Sequence, residues 1–394
     1  MDILFIITSS LFFLWLLRQL FFWLWVWQQN DYRQDRFFAS FKKNFRKYHL
    51  FSVLFPIGKW ALFFAYGYVI FHDDFLLVYH SLIIGLYAIL TFFLLREIYL
   101  NHLKKPHITL RVTILIALTL TVVLLLFAIP LFDRFFWLLC IDLITPFIVL
   151  FFVILLSFPI EIYQDWQIEK AGQKIRRFPK LLVIAVTGSV EKSRTKDYIA
   201  TLLGKKFRVV KTHGRQNTMI GVAKAILDEI TEKTQIFVAE ISAYKQGEIG
   251  MISSLIQPKI GVLTTINSYY LPLFKTLERI KRTNYELVES LPKDGYCLYN
   301  GNSKQTLSLY KKSRKGKVLY RTGNLQSKNA KEFIAYDIVQ TQRGISFSVI
   351  FQARSMRFHL HHGQHLEAFL PALFLALSLG LSENEIKRRI VLVK

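Results

Sequence analysis

Cysteine is almost missing from this chain: two residues, Cys140 and Cys297, in 394. Cys140 lies in an apolar run and Cys297 in an alternating strand–helix region, which excludes a disulfide framework and a cysteine metal knuckle. Acidic residues are also scarce, 27 against 51 Lys and Arg, for a formal net charge of +24. That excess raises the possibility of a nucleic-acid partner. The rest of the composition supplies a better reason. The chain is 53% hydrophobic and 15% aromatic, with 35 Phe, too apolar for an ordinary water-soluble protein of this length. A membrane protein that keeps its Lys and Arg on the cytoplasmic side accounts for both excesses, so the expected partner is a lipid bilayer and not nucleic acid. The first apolar segment has no basic start and no small-residue cleavage site after it, which argues against a removable signal.

Five long apolar segments fall within residues 1–158, at about 3–27, 51–71, 75–95, 112–132 and 135–157. Each is near the ~20 residues needed to cross a bilayer. The connections alternate in charge. NDYRQDRFFASFKKNFRKYH is basic, His72-Asp73-Asp74 is short and acidic, REIYLNHLKKPHITLR is basic, and Asp133-Arg134 is short. Lys174, Arg176, Arg177 and Lys180 follow the fifth segment. Positive-inside bias then places the N-terminus outside a bacterial plasma membrane and everything after residue 160 in the cytoplasm. Arg18, Lys59, His80 and Asp142 sit inside the spans, where charge is costly. Lys59 and Asp142 are expected to pair, either lining a path for a lipid head group or simply holding the bundle together. Residues 159–180 mix apolar and basic positions and read as an amphipathic linker helix closed by Pro179.

From Leu181 the pattern changes. LLVIAV, FRVVKT, TQIFVAEIS, KIGVLTTI and GYCLYNG read as strands, separated by the helical patterns TKDYIATLL, IGVAKAILDEI and LERIKRTNYELVESL. Strands alternating with helices predict a parallel α/β sheet. EFIAYDIVQTQRGISFSVIFQARSMRFHLH alternates with period two and predicts an antiparallel meander, and a helix, HLEAFLPALFLALSLGL, follows. The expected architecture is an all-α transmembrane bundle over 1–158, the linker 159–180, and an α/β domain over 181–394 with a P-loop-like nucleotide site. In such sheets ligands sit beyond the carboxyl ends of the strands, where Thr187, Ser189, Lys192, Glu240 and Thr264 all fall. His359, His361, His362 and His365 cluster without a cysteine or carboxylate at ligand spacing, so a polar strand face is expected rather than a metal site. The basic run YKKSRKGK at 310–317 reads as a solvated loop.

The stretch VIAVTGSVEKSRTKDYIATLL, residues 183–203, resembles the phosphate loop of the Mur ligase family, Thr-Gly-Ser-x-Gly-Lys-Thr-x-Thr-Lys, at Thr187, Gly188, Ser189, Lys192, Thr195 and Lys196, with Ser193 standing for Thr. THGRQNTMIG keeps Thr212, Gly214, Asn217, Ile220 and Gly221 of a second family stretch, and EISAYKQGEI keeps Glu240, Ala243, Gly247, Glu248 and Ile249 of a third. LPKDGYCLYNGN and GQHLEAFLPALFLALSLGLSENEI resemble two more, so five segments match in order. The resemblance covers roughly residues 181–394, the family's central domain. It implies an ATP- and Mg²⁺-dependent fold that joins an acid to an amino acid in peptidoglycan synthesis. It implies nucleotide contacts from Thr187, Gly188, Ser189, Lys192, Ser193, Thr195 and Asn217, and Mg²⁺ ligands Ser193 and Glu240.

Four departures from the family pattern qualify that activity. Glu191 replaces the glycine before the lysine. A carboxylate ~4 Å from a phosphate charge costs roughly 4 kcal/mol per charge pair at an effective dielectric near 20. Tyr270 stands at the position of a metal-binding His, and Asn284 at that of a lysine that becomes carbamylated, so a second metal loses two ligands. The chain ends at Lys394, where the family's C-terminal domain is expected to begin. The expected function is a membrane-tethered, ligase-like protein with weak ATP binding and a degenerate catalytic site, a scaffold or regulator working with other envelope-synthesis proteins. The alternatives are an active ligase completed by a partner chain or a lipid-linked substrate, and a lipid-handling membrane protein with a ligase-fold sensor.

Overall fold

The computed structural model describes residues 2–34, 37, 38, 40, 55–129, 132–214, 216–324 and 332–392. Most of the basic connection expected at 30–49 lies outside them. The chain divides into two compact units, Met1–Ile162 and Tyr163–Lys394.

The first unit is helical: α1 (Asp2–Gln29), α2 (Phe55–Val69), α3 (Leu76–Tyr99), α4 (Leu110–Ala128) and α5 (Arg134–Arg176), of which the part to Ile162 belongs here. Four of these, α1, α3, α4 and α5, are long and apolar enough to cross a membrane. α2 has 15 residues, short of a span, and residues 51–54 of the expected second segment lie outside the described residues. The packing is inverted relative to a water-soluble domain. Phe64, Leu77, Phe92, Leu125 and Phe151 face outward, while the polar residues meet inside. Arg18 forms a fork to Glu97, with Nε–Oε2 and Nη2–Oε1 distances of 3.1 and 3.0 Å. Lys59 Nζ lies 2.6 Å from Asp142 Oδ2, and Tyr87 donates to the same oxygen at 3.2 Å. His80 Nε2 is 3.1 Å from Asp133. Buried ions persist only when paired, which is why the four interior charges read from the sequence each find a partner.

The second unit is built on one nine-stranded sheet ordered β2-β3-β1-β4-β5-β6-β7-β8-β9. Its strands are β1 (Leu182–Thr187), β2 (Val209–Lys211), β3 (Ile236–Glu240), β4 (Ile260–Leu263), β5 (Tyr296–Asn300), β6 (Gly316–Thr322), β7 (Glu332–Thr341), β8 (Gly344–Phe351) and β9 (Arg354–His361). Pairing is parallel as far as β7 and antiparallel beyond it. The central strands are apolar on both faces up to their last residues, because both faces are covered. Val183, Ala185, Phe237 and Leu263 pack on α7 (Met219–Glu229), α8 (Glu248–Ile256) and α9 (Leu277–Ser290). Ile184, Val186, Val238 and Val262 pack against α6 (Lys192–Leu203) and α11 (Leu366–Ser378). α10 (Lys304–Lys312) links β5 to β6, and α12 (Glu383–Ile390) starts on a Ser382/Glu385 capping box.

The basic run at 310–317 is not a free loop. It ends α10 and begins β6, and Lys317 Nζ donates to the carbonyls of Tyr310 and Ser313, both at 2.9 Å. β1 is hydrogen-bonded to β3 on one side and β4 on the other, so the strand order reverses at β1. The register sets Val186 beside Glu240 and Thr187 beside Leu263, bringing three strand ends to one level.

Candidate functional site

The site grows from the end of β1. Gly188 has φ +145°, and a Cβ there would lie 2.1 Å from Thr264 Oγ1. Glycine is needed for both reasons. Thr264 Oγ1 in turn lies 3.1 Å from the carbonyl of Thr187 and 2.7 Å from that of Val190, tying the loop to β4. The N–H groups of Ser189 and Val190 both point at the carbonyl of Thr265, at 2.8 and 3.3 Å. The loop's remaining donors are therefore those that open α6. Thr195 N–H is the first to bond back, to Glu191 at 2.9 Å, so the N–H groups of Glu191, Lys192, Ser193 and Arg194 face forward as an anion-binding end.

Glu191 has a left-handed backbone, φ 65° and ψ 4°, a conformation that favours glycine. Its carboxylate borders the cleft and is paired there. Oε1 is 3.0 Å from Arg194 Nη1 and 3.8 Å from His365 Nδ1. The repulsion expected at this position is thus largely neutralised locally. Lys192 is buried, and its amine donates to the Gly188 carbonyl at 2.8 Å, with Ser189 O at 3.4 Å and Tyr270 Oη at 3.5 Å. Burial pushes the amine down to about 8, against an opposing pull from Glu240. Glu240 is itself buried and double-anchored, with Oε1 accepting from Asn217 Nδ2 at 3.2 Å and Oε2 3.5 Å from Lys196 Nζ.

These groups border a cleft of about 520 Å³. Ser189, Lys192, Ser193, Asn217 and Glu240 line it, whereas Thr187 and Thr195 are fully buried beneath and Gly188 shapes the loop from behind. Two lining residues escaped the sequence reading: Tyr269, which is 70% exposed, and Ser242, whose buried Oγ meets no hydrogen-bond partner among the described residues. Ser242 lies inside the third matched stretch but is not among the residues it keeps, and only the packing exposes the two. A nucleotide phosphate fits this cradle of N–H groups and lysine. A single Mg²⁺ fits Glu240 and Ser193, because Mg²⁺ is commonly held by one or two carboxylates with phosphate and water completing the shell.

The second metal position does not fit. Asn284 is buried, accepts from Thr187 Oγ1 at 3.1 Å and donates to the Ile280 carbonyl at 2.8 Å. Tyr270, beside it, has its phenol raised by burial and stays neutral. The space these two share with Thr283 and Phe274 is about 10 Å³, room for one water at most. At the antiparallel end of the sheet, His359 Nδ1 lies 2.9 Å from Ser346 Oγ and its ring meets His361 edge-on. Among the described residues no three His, Cys, Asp or Glu gather as a metal site.

A doubly wound sheet with a glycine-bearing loop at its reversal point is the arrangement found in nucleotide-binding α/β domains. Residues 186–365 match the family described as Mur ligase middle domain. Among the proteins the chain is similar to are D-alanyl-D-alanine-adding ligases. Over 69 residues the chain is 44% identical to UDP-N-acetylmuramoyl-tripeptide--D-alanyl-D-alanine ligase of Bacillus subtilis (strain 168), 18% of this chain and 15% of that protein. It shares its fold with a crystal structure of MurF from Acinetobacter baumannii, at TM-score 0.50 and 22% identity, over 58% of this chain and 49% of that one. The MurF ligase of Thermotoga maritima in complex with ADP gives TM-score 0.50 and 22% identity, over 57% and 52%. The chain thus spans about half the length of these solved relatives.

Proposed function

We propose that this chain is a membrane-anchored Mur ligase-like protein of peptidoglycan synthesis whose middle domain binds a nucleotide with one Mg²⁺ and does not form amide bonds by itself. It acts as a scaffold or regulator beside other envelope-synthesis proteins. The observation that carries this reading is the filled second-metal position, where Asn284 is locked into the core by two hydrogen bonds and only about 10 Å³ remains. Support for nucleotide comes from the α6 N-terminus, Lys192 and Glu240, and from the ADP complex of the Thermotoga maritima relative. The Bacillus subtilis relative's name supplies the link to peptidoglycan. In a ligase of this kind, ATP supplies the phosphoryl group that activates a carboxylate. Here Lys192 would leave the Gly188 carbonyl to meet phosphate, while Glu240 and Ser193 would hold the metal.

A second reading, an active ligase completed by a partner chain, is favoured by the intact Lys196–Glu240–Asn217 cluster. ATP turnover by the chain alone tests the first reading. The purified chain is expected to release no ADP above background with or without bicarbonate, and turnover by the chain alone would sink the regulatory reading.

The lysine predicts a pH dependence. Its folded value of about 8 lies below the ordinary 10.5. Between those values the unfolded chain holds the proton more, so stability rises with pH across that window. Nucleotide binding runs the other way, since phosphate favours the charged amine. Titration of Mg-ADP near pH 8.5 in buffers of different ionisation enthalpy is expected to show proton uptake on binding, lost in Lys192→Met. No uptake would contradict the assignment.

The four long apolar helices support a membrane anchor, and the charge pattern supports a cytoplasmic middle domain. Single cysteines at Lys105→Cys and Lys315→Cys in a chain otherwise free of cysteine are expected to label only after the inner face is opened, and Asp73→Cys from outside. Labelling of all three from one side would overturn the topology.

A further inference from the structure

The helical unit contains a cavity of about 340 Å³, lined among others by Trp15, Gln19, Lys59, Trp60, Asp142 and Leu150. Two acceptors on its wall are left over. Asp142 is fully buried, and while its Oδ2 holds Lys59 and Tyr87, its Oδ1 meets no donor among the described residues. Gln19 Oε1 is likewise buried without a partner among the described residues. The helix also lacks one backbone donor beside the cavity. Pro146 lies inside α5, four residues after Asp142, and has no N–H to give to the Asp142 carbonyl. Buried acceptors left without donors are costly, so a cavity that collects them is built around something that donates.

The charges narrow the class. Both cations on the wall are already committed, Arg18 to Glu97 and Lys59 to Asp142, so the cavity offers no spare positive charge to an anionic head group. An ammonium head would sit beside both of them and be repelled. Neutral hydroxyl groups supply donors at no electrostatic cost. The remaining wall is aromatic and aliphatic, with Trp60, Phe38 and Phe147 exposed on the unit's apolar surface, open to an acyl chain arriving from the bilayer. At roughly 30 Å³ per water-sized group, the volume holds about eleven heavy atoms, enough for a glyceryl-sized head and the first carbons of one chain.

We infer that this cavity binds a neutral lipid with a hydroxyl-bearing head group, its hydroxyls on Gln19 Oε1 and Asp142 and its chain along Trp60 and Leu150. The inference rests on the membrane reading of this unit, which detergent-phase partition of the full chain tests separately. The binding test uses the full chain in detergent micelles and a monoacylglycerol carrying a photoreactive diazirine in its acyl chain. Labelling is expected to saturate, to map to α1, α2 and α5, and to be competed by unlabelled monoacylglycerol at least tenfold better than by the methyl ester of the same acid. Gln19→Leu, which removes one acceptor and keeps the shape, is expected to weaken labelling about tenfold. Leu150→Trp, which fills the cavity from another wall, is expected to abolish it, with both variants monodisperse on gel filtration. Equal competition by the methyl ester would show a merely apolar hole, and better competition by lysophosphatidate would show an anion site. Either result, or wild-type labelling of Gln19→Leu, would overturn the proposal.

Discussion

Lys192→Ala is expected to weaken Mg-ADP binding by at least a hundredfold, beyond detection if the parent affinity is micromolar or worse. In this loop the N–H groups of Ser189 and Val190 are spent on the Thr265 carbonyl, so the lysine and the first turn of α6 carry the phosphate contacts almost alone. A buried amine opposite a phosphate makes a charge-assisted bond about twice as strong as a neutral one, and two decades correspond to about 2.8 kcal/mol. Glu191→Gly in the same titration is expected to tighten binding by about one decade or less. The Glu191 carboxylate already rests against Arg194 at 3.0 Å, so removing it frees an arginine more than it lifts a block. That is smaller than the three decades per charge pair that a carboxylate aimed at the phosphate would cost. Unchanged affinity in Lys192→Ala would mean that the loop is structural only.

The second large effect concerns stability. Gly188→Ala is expected to cost roughly 3–5 kcal/mol and to lower the Tm of the domain transition by about 10 °C, from the sum of backbone strain and a steric clash. The new methyl would meet Thr264 Oγ1 at 2.1 Å, and Thr264 cannot yield without releasing the Thr187 and Val190 carbonyls it binds. Gly214→Ala is the control. That glycine has φ +48° and nothing within 4 Å of an added Cβ, so its cost is near 1 kcal/mol. Scanning calorimetry showing the two variants equally stable would refute the role given to Thr264.

What the sequence carried well is what lies together along the chain. Thr187-Gly188-Ser189 and Lys192 follow one strand directly, and Glu240 ends the next strand in the sheet, so the loop and its acidic neighbour were legible before any coordinate. Lys59 and Asp142 were legible as a pair because opposite charges buried in apolar segments have few other ways to be stable. What was hidden depends on distant packing. The direction of Glu191 is set partly by His365, which arrives with α11. β6, whose first two residues lie in the basic run, was not read as a strand, because its seven residues become one only by pairing with β5 and β7. Ser242 and Gln19 are not motif residues, and each shows its interest only as a buried atom left without a partner among the described residues.

The account stands on one metal beside the nucleotide and not two. Mn²⁺ substitutes for Mg²⁺ and is counted directly by electron paramagnetic resonance as it binds in the presence of saturating ADP. The prediction is one Mn²⁺ per chain, lost in Glu240→Gln and unaffected by Asn284→Ala. Two Mn²⁺ per chain, with the second abolished by Asn284→Ala, would contradict it.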